Sequence, residues 1–196
     1  MGEPKNGFGK LVLIIGPSGV GKSVVMRYLR THHPEFHFPR SSTTRARRPG
    51  EGDENYHFVT NPEFDALVAE HKFVEWAIVH GKDRYGTMLD EIVPYIERGK
   101  IVVREIDVQG FVSIQNSRLF HDGKHPVQSI FILPESKEQV IAHIKKRAPI
   151  SDDELHRRIH SMDKELAYAD HCDERVLNVE GKLDDTVKEV ERLIVG

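Results

Sequence analysis

Gly16-Pro17-Ser18-Gly19-Val20-Gly21-Lys22-Ser23 fills every fixed position of the pattern G-x-x-x-x-G-K-[ST]. Glycines at 16, 19 and 21 permit backbone conformations closed to residues with a Cβ, so successive amides can turn inward. Together with the positive end of a following helix, those amides form a cradle for phosphate oxygens. Lys22 adds a point charge near the β- and γ-phosphates, and the Ser23 hydroxyl is a hard oxygen ligand suited to Mg²⁺. The same letters could make no more than a glycine-rich turn between a core strand and a core helix. Their context argues for chemistry instead. The apolar run Leu11-Val12-Leu13-Ile14-Ile15 precedes the loop and a helical pattern follows it. Residues 16–23 are thus read as the site of a nucleoside triphosphate.

Transfer of a γ-phosphoryl group needs charge neutralisation and alignment more than covalent chemistry. Arginine suits this, because its planar fork binds phosphate oxygens bidentately and never loses its charge. The segment Ser41-Ser42-Thr43-Thr44-Arg45-Ala46-Arg47-Arg48 is one arginine-rich candidate, and Arg147, Arg157 and Arg158 form another. A solvated surface is the commoner fate of arginines, and a helix over 152–169 needs a polar face in any case. Glu105 and Asp107 stand at the end of a strand. Asp107 suits either a metal–water network or the cap of a helix starting near Val108, and the two roles are compatible.

Short apolar strands alternate with amphipathic helical patterns, which predicts an α/β fold built on a doubly wound parallel sheet of the phosphate-loop NTPase type. Strands are expected at 11–15, 56–59, 73–79, 101–107, 129–133 and 175–178. Helices are expected at about 24–30, from an Asn61 N-cap to about Glu70, at 88–98 with Gly99 as its C-cap, and at 135–146, 152–169 and 183–195. Residues 41–54, punctuated by Pro49-Gly50, read as a functional loop. The segment 41–87 breaks the strand–helix rhythm and is expected to form a small inserted lobe. That leaves a flexible tail at 1–9, a core at 10–40 and 88–196, and a helical lid at about 143–166 within the core segment. In such a sheet, ligands gather beyond the carboxyl ends of the strands, where both the loop after Ile15 and Asp107 fall.

The chain has 196 residues, enough for one domain with a proper core. Lysine and arginine total 28 against 31 acidic residues, a formal charge of −3, so no bulk basic field points to nucleic acid. The single cysteine, Cys172, excludes an internal disulfide and suits a reducing compartment. No signal peptide, myristoylation pattern or membrane-length apolar run is visible. A cytoplasmic protein without a membrane partner, either a monomer or a homodimer, is expected.

The phosphate loop, then Ser41-Ser42-Thr43-Thr44-Arg45 with Arg48-Pro49-Gly50-Glu51, then Tyr56-His57-Phe58-Val59, together resemble guanylate kinase. Phe73-Val74-Glu75-Trp76-Ala77, Tyr85-Gly86-Thr87, Glu105-Ile106-Asp107-Val108-Gln109-Gly110 and Ile130-Phe131-Ile132-Leu133-Pro134 continue the match in order, over about residues 10–195. The resemblance implies an ATP:GMP phosphotransferase that uses Mg²⁺, with ATP and GMP, and dGMP as well, as its small-molecule partners. It implies that Arg45, Arg48, Tyr56 and Tyr85 hold the GMP phosphate, while Ser41, Glu75, Gly86 and Thr87 form the base site. It also places Asp107 near GMP and the metal with Ser23, Asn178 on the adenine side of ATP, and Arg147 and Arg158 in a lid that acts with Arg48 and Lys22. Three positions depart from the family pattern: His143 where the lid carries an arginine, Ala148-Pro149 after Arg147, and an extra residue in Gly81-Lys82-Asp83-Arg84. The same resemblance leaves open a catalytically inactive protein-interaction module, although such modules have eroded phosphate loops and a proline at the place of Ser41. A kinase for another phosphorylated acceptor, such as a ribose bisphosphate, would have no use for Glu75 or Tyr85-Gly86-Thr87.

Overall fold

In the computed structural model, residues 9–79, 82–121, 125–147 and 151–196 are described. The core is a parallel sheet of four strands in the order β6-β1-β7-β8, comprising β1 (Lys10–Ile15), β6 (Ile101–Glu105), β7 (Val127–Pro134) and β8 (Glu174–Asn178). Its near-continuous apolar strands are what burial on both faces demands. Leu11, Leu13, Ile15, Val102 and Phe131 face one cluster with Phe111 and Ile114 of α4 (Val108–Gln115) and Ile96 of α3 (Val93–Glu97). Val12, Ile14, Val103, Ile130 and Ile132 face the other, with Val25 and Leu29 of α1 (Lys22–His32) and Val187 and Val190 of α7 (Leu183–Val195). Each side chain buried in full contributes about 1.5–3 kcal/mol relative to exposure. The sheet is therefore a rigid platform for whatever its strand ends carry.

A second sheet, order β3-β2-β5-β4, is built from β2 (Ser41–Thr43), β3 (Tyr56–Phe58), β4 (Phe73–Val79) and β5 (Asp83–Met88). Sequence reading expects a loop over 41–54, yet its first three residues form β2, paired on both sides. One half-buried carboxylate ties this sheet to the core. Glu91 lies 2.8 Å from His57 Nε2 on β3, 3.3 Å from Arg40 Nη2 on the crossing segment, and 3.3 Å from His37 Nε2 beside the core edge. No helix among the described residues is long and apolar enough to cross a membrane.

Several expected boundaries move, each for an identifiable reason. The N-cap of α2 (Asn61–Ala69) is Thr60, not Asn61. Its hydroxyl accepts from the Glu63 amide while the Glu63 carboxylate accepts from the Thr60 amide, and Pro62, which has no N–H to lose, sits in the first turn. The helix expected over 88–98 is divided. Strand β5 runs to Met88, a single 3₁₀ turn covers Leu89–Glu91, and α3 restarts with Pro94 in its first turn, the helical position that tolerates proline. The C-cap of that helix is Arg98, not Gly99, which comes one residue later with φ 77°, a left-handed place that favours glycine. β6 ends at Glu105, and Asp107 caps α4, its Oδ1 accepting from the Gly110 amide at 2.8 Å. Towards the C-terminus, α5 (Lys137–Arg147) and α6 (Asp152–Leu166) pack together around Val140, Ile144, Leu155 and Met162.

Candidate active site

The phosphate loop joins β1 to α1, and its glycines take the positive-φ backbone expected of them. Gly19 and Gly21 have φ 88° and 104°, which side chains rarely adopt. Lys22 Nζ donates to the carbonyls of Gly16 (2.6 Å) and Pro17 (3.1 Å) and lies 3.9 Å from Glu105 Oε1 at the end of β6. Val20 anchors the loop: it is buried, and its carbonyl accepts from Asn178 Nδ2 at 2.9 Å. Asn178 was expected on the adenine side of ATP. It lines a cavity beside the loop with Gly21, His143 and Leu183, but it is only 4% exposed and its Oδ1 accepts from Thr186 Oγ1 at 3.1 Å. In this arrangement it braces the loop.

Two cavities meet at this loop. One, about 730 Å³, is lined by Gly16, Ser18, Lys22 and Ser23 on one side and Ser41, Tyr56, Tyr85 and Asp107 on the other. The second, about 490 Å³, extends from the same Ser18, Lys22 and Ser23 toward His143 and Asn178. His143, standing where an arginine was expected, places Nδ1 3.2 Å from the Gly19 carbonyl and Nε2 3.3 Å from Glu180.

The register of the second sheet aligns the predicted base-site residues. Ser41 pairs with Tyr56 on one side and Thr87 on the other, and Thr87 pairs with Glu75, giving a single row Tyr56–Ser41–Thr87–Glu75 on one face. A bulge between Phe73 and Glu75 makes this possible. The extra residue leaves Phe73 with Trp76 against Phe64 on the far face and turns Glu75 to the row. Gly86 serves that far face: a Cβ there would come within 2.7 Å of the Phe73 ring and 2.9 Å of Trp76 Cβ. Glu75 is covered, its side chain 10% exposed, and accepts from Thr87 Oγ1 at 2.5 Å. Burial pushes its carboxyl above the ordinary value, against the nearby Arg104 cation and the Thr87 hydroxyl, which favour the ionised form. By sequence pattern alone Glu75 reads as a solvent-facing strand residue; the bulge is why it is not.

The arginines divide. Arg45 is nearly covered and bidentate on Glu51, with Nη1 and Nη2 at 3.0 and 2.7 Å, and its guanidinium lies over the Tyr56 ring at 5.3 Å. Glu51 also accepts from the Arg48 amide at 2.9 Å, so one carboxylate closes the loop that carries both arginines. The Arg45 pair pulls the Glu51 carboxyl down to about 2, so it stays ionised under any ordinary condition. Sequence reading quoted Glu51 within a motif but gave it no role. Glu51→Gln, which removes the bidentate partner, is expected to raise KM for the phosphorylated acceptor about tenfold with kcat nearly unchanged; steady-state kinetics with an unaltered KM would refute this. Arg48 is exposed. Arg158 pairs with Glu154 one turn back on its own helix at 2.6 Å, away from the cavity lining. The Arg147 side chain, Ala148, Pro149 and Gly81 lie outside the described residues.

Ser23, Glu105 and Asp107 line the same cavity, one hydroxyl and two carboxylates. That donor set fits Mg²⁺, which takes few protein oxygens and completes its shell with phosphate and water. Among the described residues no cluster of three or more His, Cys, Asp or Glu suggests a tighter metal cage. Another side chain facing this cavity, Arg104, was not singled out by sequence, although a cation between Val102 and Ile106 in a core strand is a visible anomaly.

Comparison with known proteins agrees with the geometry. A family model described as guanylate kinase matches residues 8–195. A guanylate kinase of Trichormus variabilis is 39% identical over 171 residues, covering 87% of this chain and 82% of that protein. One of Nocardia farcinica is 36% identical over 174 residues, covering 88% and 87%. The crystal structure of guanylate kinase from Anaplasma phagocytophilum shares the fold, with a TM-score of 0.69 at 22% identity over 96% of this chain and 86% of that one. With the family model spanning nearly all of its residues, the chain belongs to the guanylate kinase family.

Proposed function

We propose that the chain transfers the γ-phosphoryl group of ATP to GMP, and to dGMP, by direct in-line displacement, giving ADP and GDP. The observation that carries this is the meeting of two cavities at Lys22 and Ser23, one of them walled by the row that begins Tyr56–Ser41. A GMP phosphate oxygen attacks the γ-phosphorus and the bond to the β–γ bridging oxygen breaks. Lys22 and the loop amides bind the donor phosphates; Arg45, Arg48, Tyr56 and Tyr85 hold the acceptor phosphate, whose dianion they match with two cations and two phenols. Ser23 and Asp107 would hold Mg²⁺, which supplies charge neutralisation at the transferring phosphates. The segment 41–87 acts as the acceptor-binding lobe, and 143–166, with Arg147 and Arg158, as a lid that excludes water once both nucleotides are in place.

Glu75 accepts from the N1–H and N2–H donors of guanine, and Ser41 donates to O6. Adenine would leave the covered carboxylate facing an acceptor, a mismatch that costs a few kcal/mol. An interaction module would have no need for a complete phosphate loop with Lys22 in place. With γ-labelled ATP, the label is expected in GDP; label released only as inorganic phosphate would contradict direct transfer.

A further inference from the structure

Arg104 is a charge in a row built for apolar groups. On β6 it shares a face with Val102 and, just past the strand's end, Ile106, which are 0% and 6% exposed. Its Nη2 donates to Ser41 Oγ at 2.7 Å and lies 3.8 Å from Glu75 Oε1, its Nη1 reaches the Pro39 carbonyl at 3.5 Å, and its Nε is buried with no hydrogen-bond partner. Desolvating a guanidinium is costly, and a leucine would continue the apolar row. What the arginine changes is the state of the two polar groups it touches.

A guanidinium has five donors and no acceptor. Ser41 Oγ must therefore accept from Arg104, and its own O–H must point elsewhere, as a donor. Glu75 is covered, with Asp107 as a second negative charge nearby, and both push it toward the neutral acid. Arg104, 3.8 Å away, opposes this and favours the ionised carboxylate, which is an acceptor only.

We propose that Arg104 is a positioning residue that fixes the hydrogen-bond polarity of the acceptor-base pocket, donor at Ser41 and acceptor at Glu75, and so selects a 6-oxopurine over a 6-aminopurine monophosphate. The inference rests on the base-reading roles given above to Ser41 and Glu75. A 6-oxopurine presents a carbonyl acceptor beside an N1–H donor; a 6-aminopurine presents an amino donor beside a bare N1. Without Arg104 the Ser41 hydroxyl can turn and accept from the amino group, and a protonated Glu75 can donate to N1. Discrimination then erodes at both ends of the pocket.

The test compares Arg104→Leu and Arg104→Lys with the unaltered protein, using GMP and AMP as acceptors at saturating ATP. Arg104→Leu is expected to raise KM for GMP about 10- to 30-fold, change kcat by less than about twofold, and lower the GMP:AMP ratio of kcat/KM by at least about tenfold. Its melting temperature should fall, because the buried Ser41 hydroxyl and the covered Glu75 carboxylate lose a partner, so the deciding readout is the GMP:AMP ratio and not stability. Arg104→Lys, which keeps charge and donor, should recover most of the ratio. An unchanged ratio in Arg104→Leu, a loss confined to kcat, or a lysine variant no better than leucine would each overturn the proposal. Glu75→Gln measured alongside separates the two levels. If it retains GMP use, the base-reading roles themselves fail; if it loses GMP use while Arg104→Leu does not, only the role of Arg104 fails.

Discussion

Lys22→Ala is expected to slow phosphoryl transfer on the order of 10³-fold while leaving the fold in place. Lys22 lines both cavities, as Arg27 does, and is the one of the two set in the phosphate loop, its side chain 12% exposed, held by two loop carbonyls and 3.9 Å from Glu105. A preorganised charge in such a site needs no reorganisation as negative charge shifts between the phosphates, and deleting one such contact typically costs a few kcal/mol of barrier. Stability changes much less. The two hydrogen bonds to the Gly16 and Pro17 carbonyls contribute about 2 kcal/mol together, or roughly 4–8 °C in Tm for a chain of this size. Turnover near the unaltered rate, with an intact melting curve, would refute the role given to the loop.

Glu75→Gln is expected to lower kcat/KM for GMP on the order of 10²- to 10³-fold with KM for ATP nearly unchanged. The amide keeps the size of the carboxylate but sets an NH₂ group against the donors of guanine, an arrangement worse than an empty place. Stability should hold or rise. Burial raises the folded-state pKa of Glu75 above the ordinary 4.5, so its ionisation opposes folding once the pH exceeds 4.5. The neutral amide removes that opposition. The same shift gives a pH signature. As the pH falls through a value above 4.5, Glu75 takes up a proton and KM for GMP climbs, whereas in Glu75→Gln that acid limb is absent. Arg104 from β6, Asp107 at the head of α4 and Thr87 from β5 are the groups acting on that titration. Equal losses for ATP and GMP would contradict the assignment.

The parts of this account legible in sequence are those set by local rules. The phosphate loop, the buried parallel strands and the capping Asp107 each follow from residue type at fixed spacing. The single helix expected over 88–98 is divided in the structure, although Pro94, with only one comfortable helical position, carried a signal for it. Long-range register was not. Nothing local says that a bulge at Val74 sets Glu75 beside Thr87, or that Ser41 lies between Thr87 and Tyr56. Asn178 enters from the resemblance only as an adenine-side residue, and its bracing contacts are hidden in sequence because its partners, Val20 and Thr186, come from other elements. Arg104 carried a signal, a charge in an apolar row, but what it touches depends on how the lobe sheet folds back over β6.

The central claim is that a phosphate loop and a guanine-reading row act on one pair of nucleotides. Coupled measurement of ADP release, with ATP and Mg²⁺ and with GMP, AMP, CMP, UMP or no acceptor, tests it most directly. Strong stimulation by GMP, with the other nucleotides near the acceptor-free rate, is the predicted result. ATP binding without stimulation by GMP, or comparable stimulation by AMP, would contradict it.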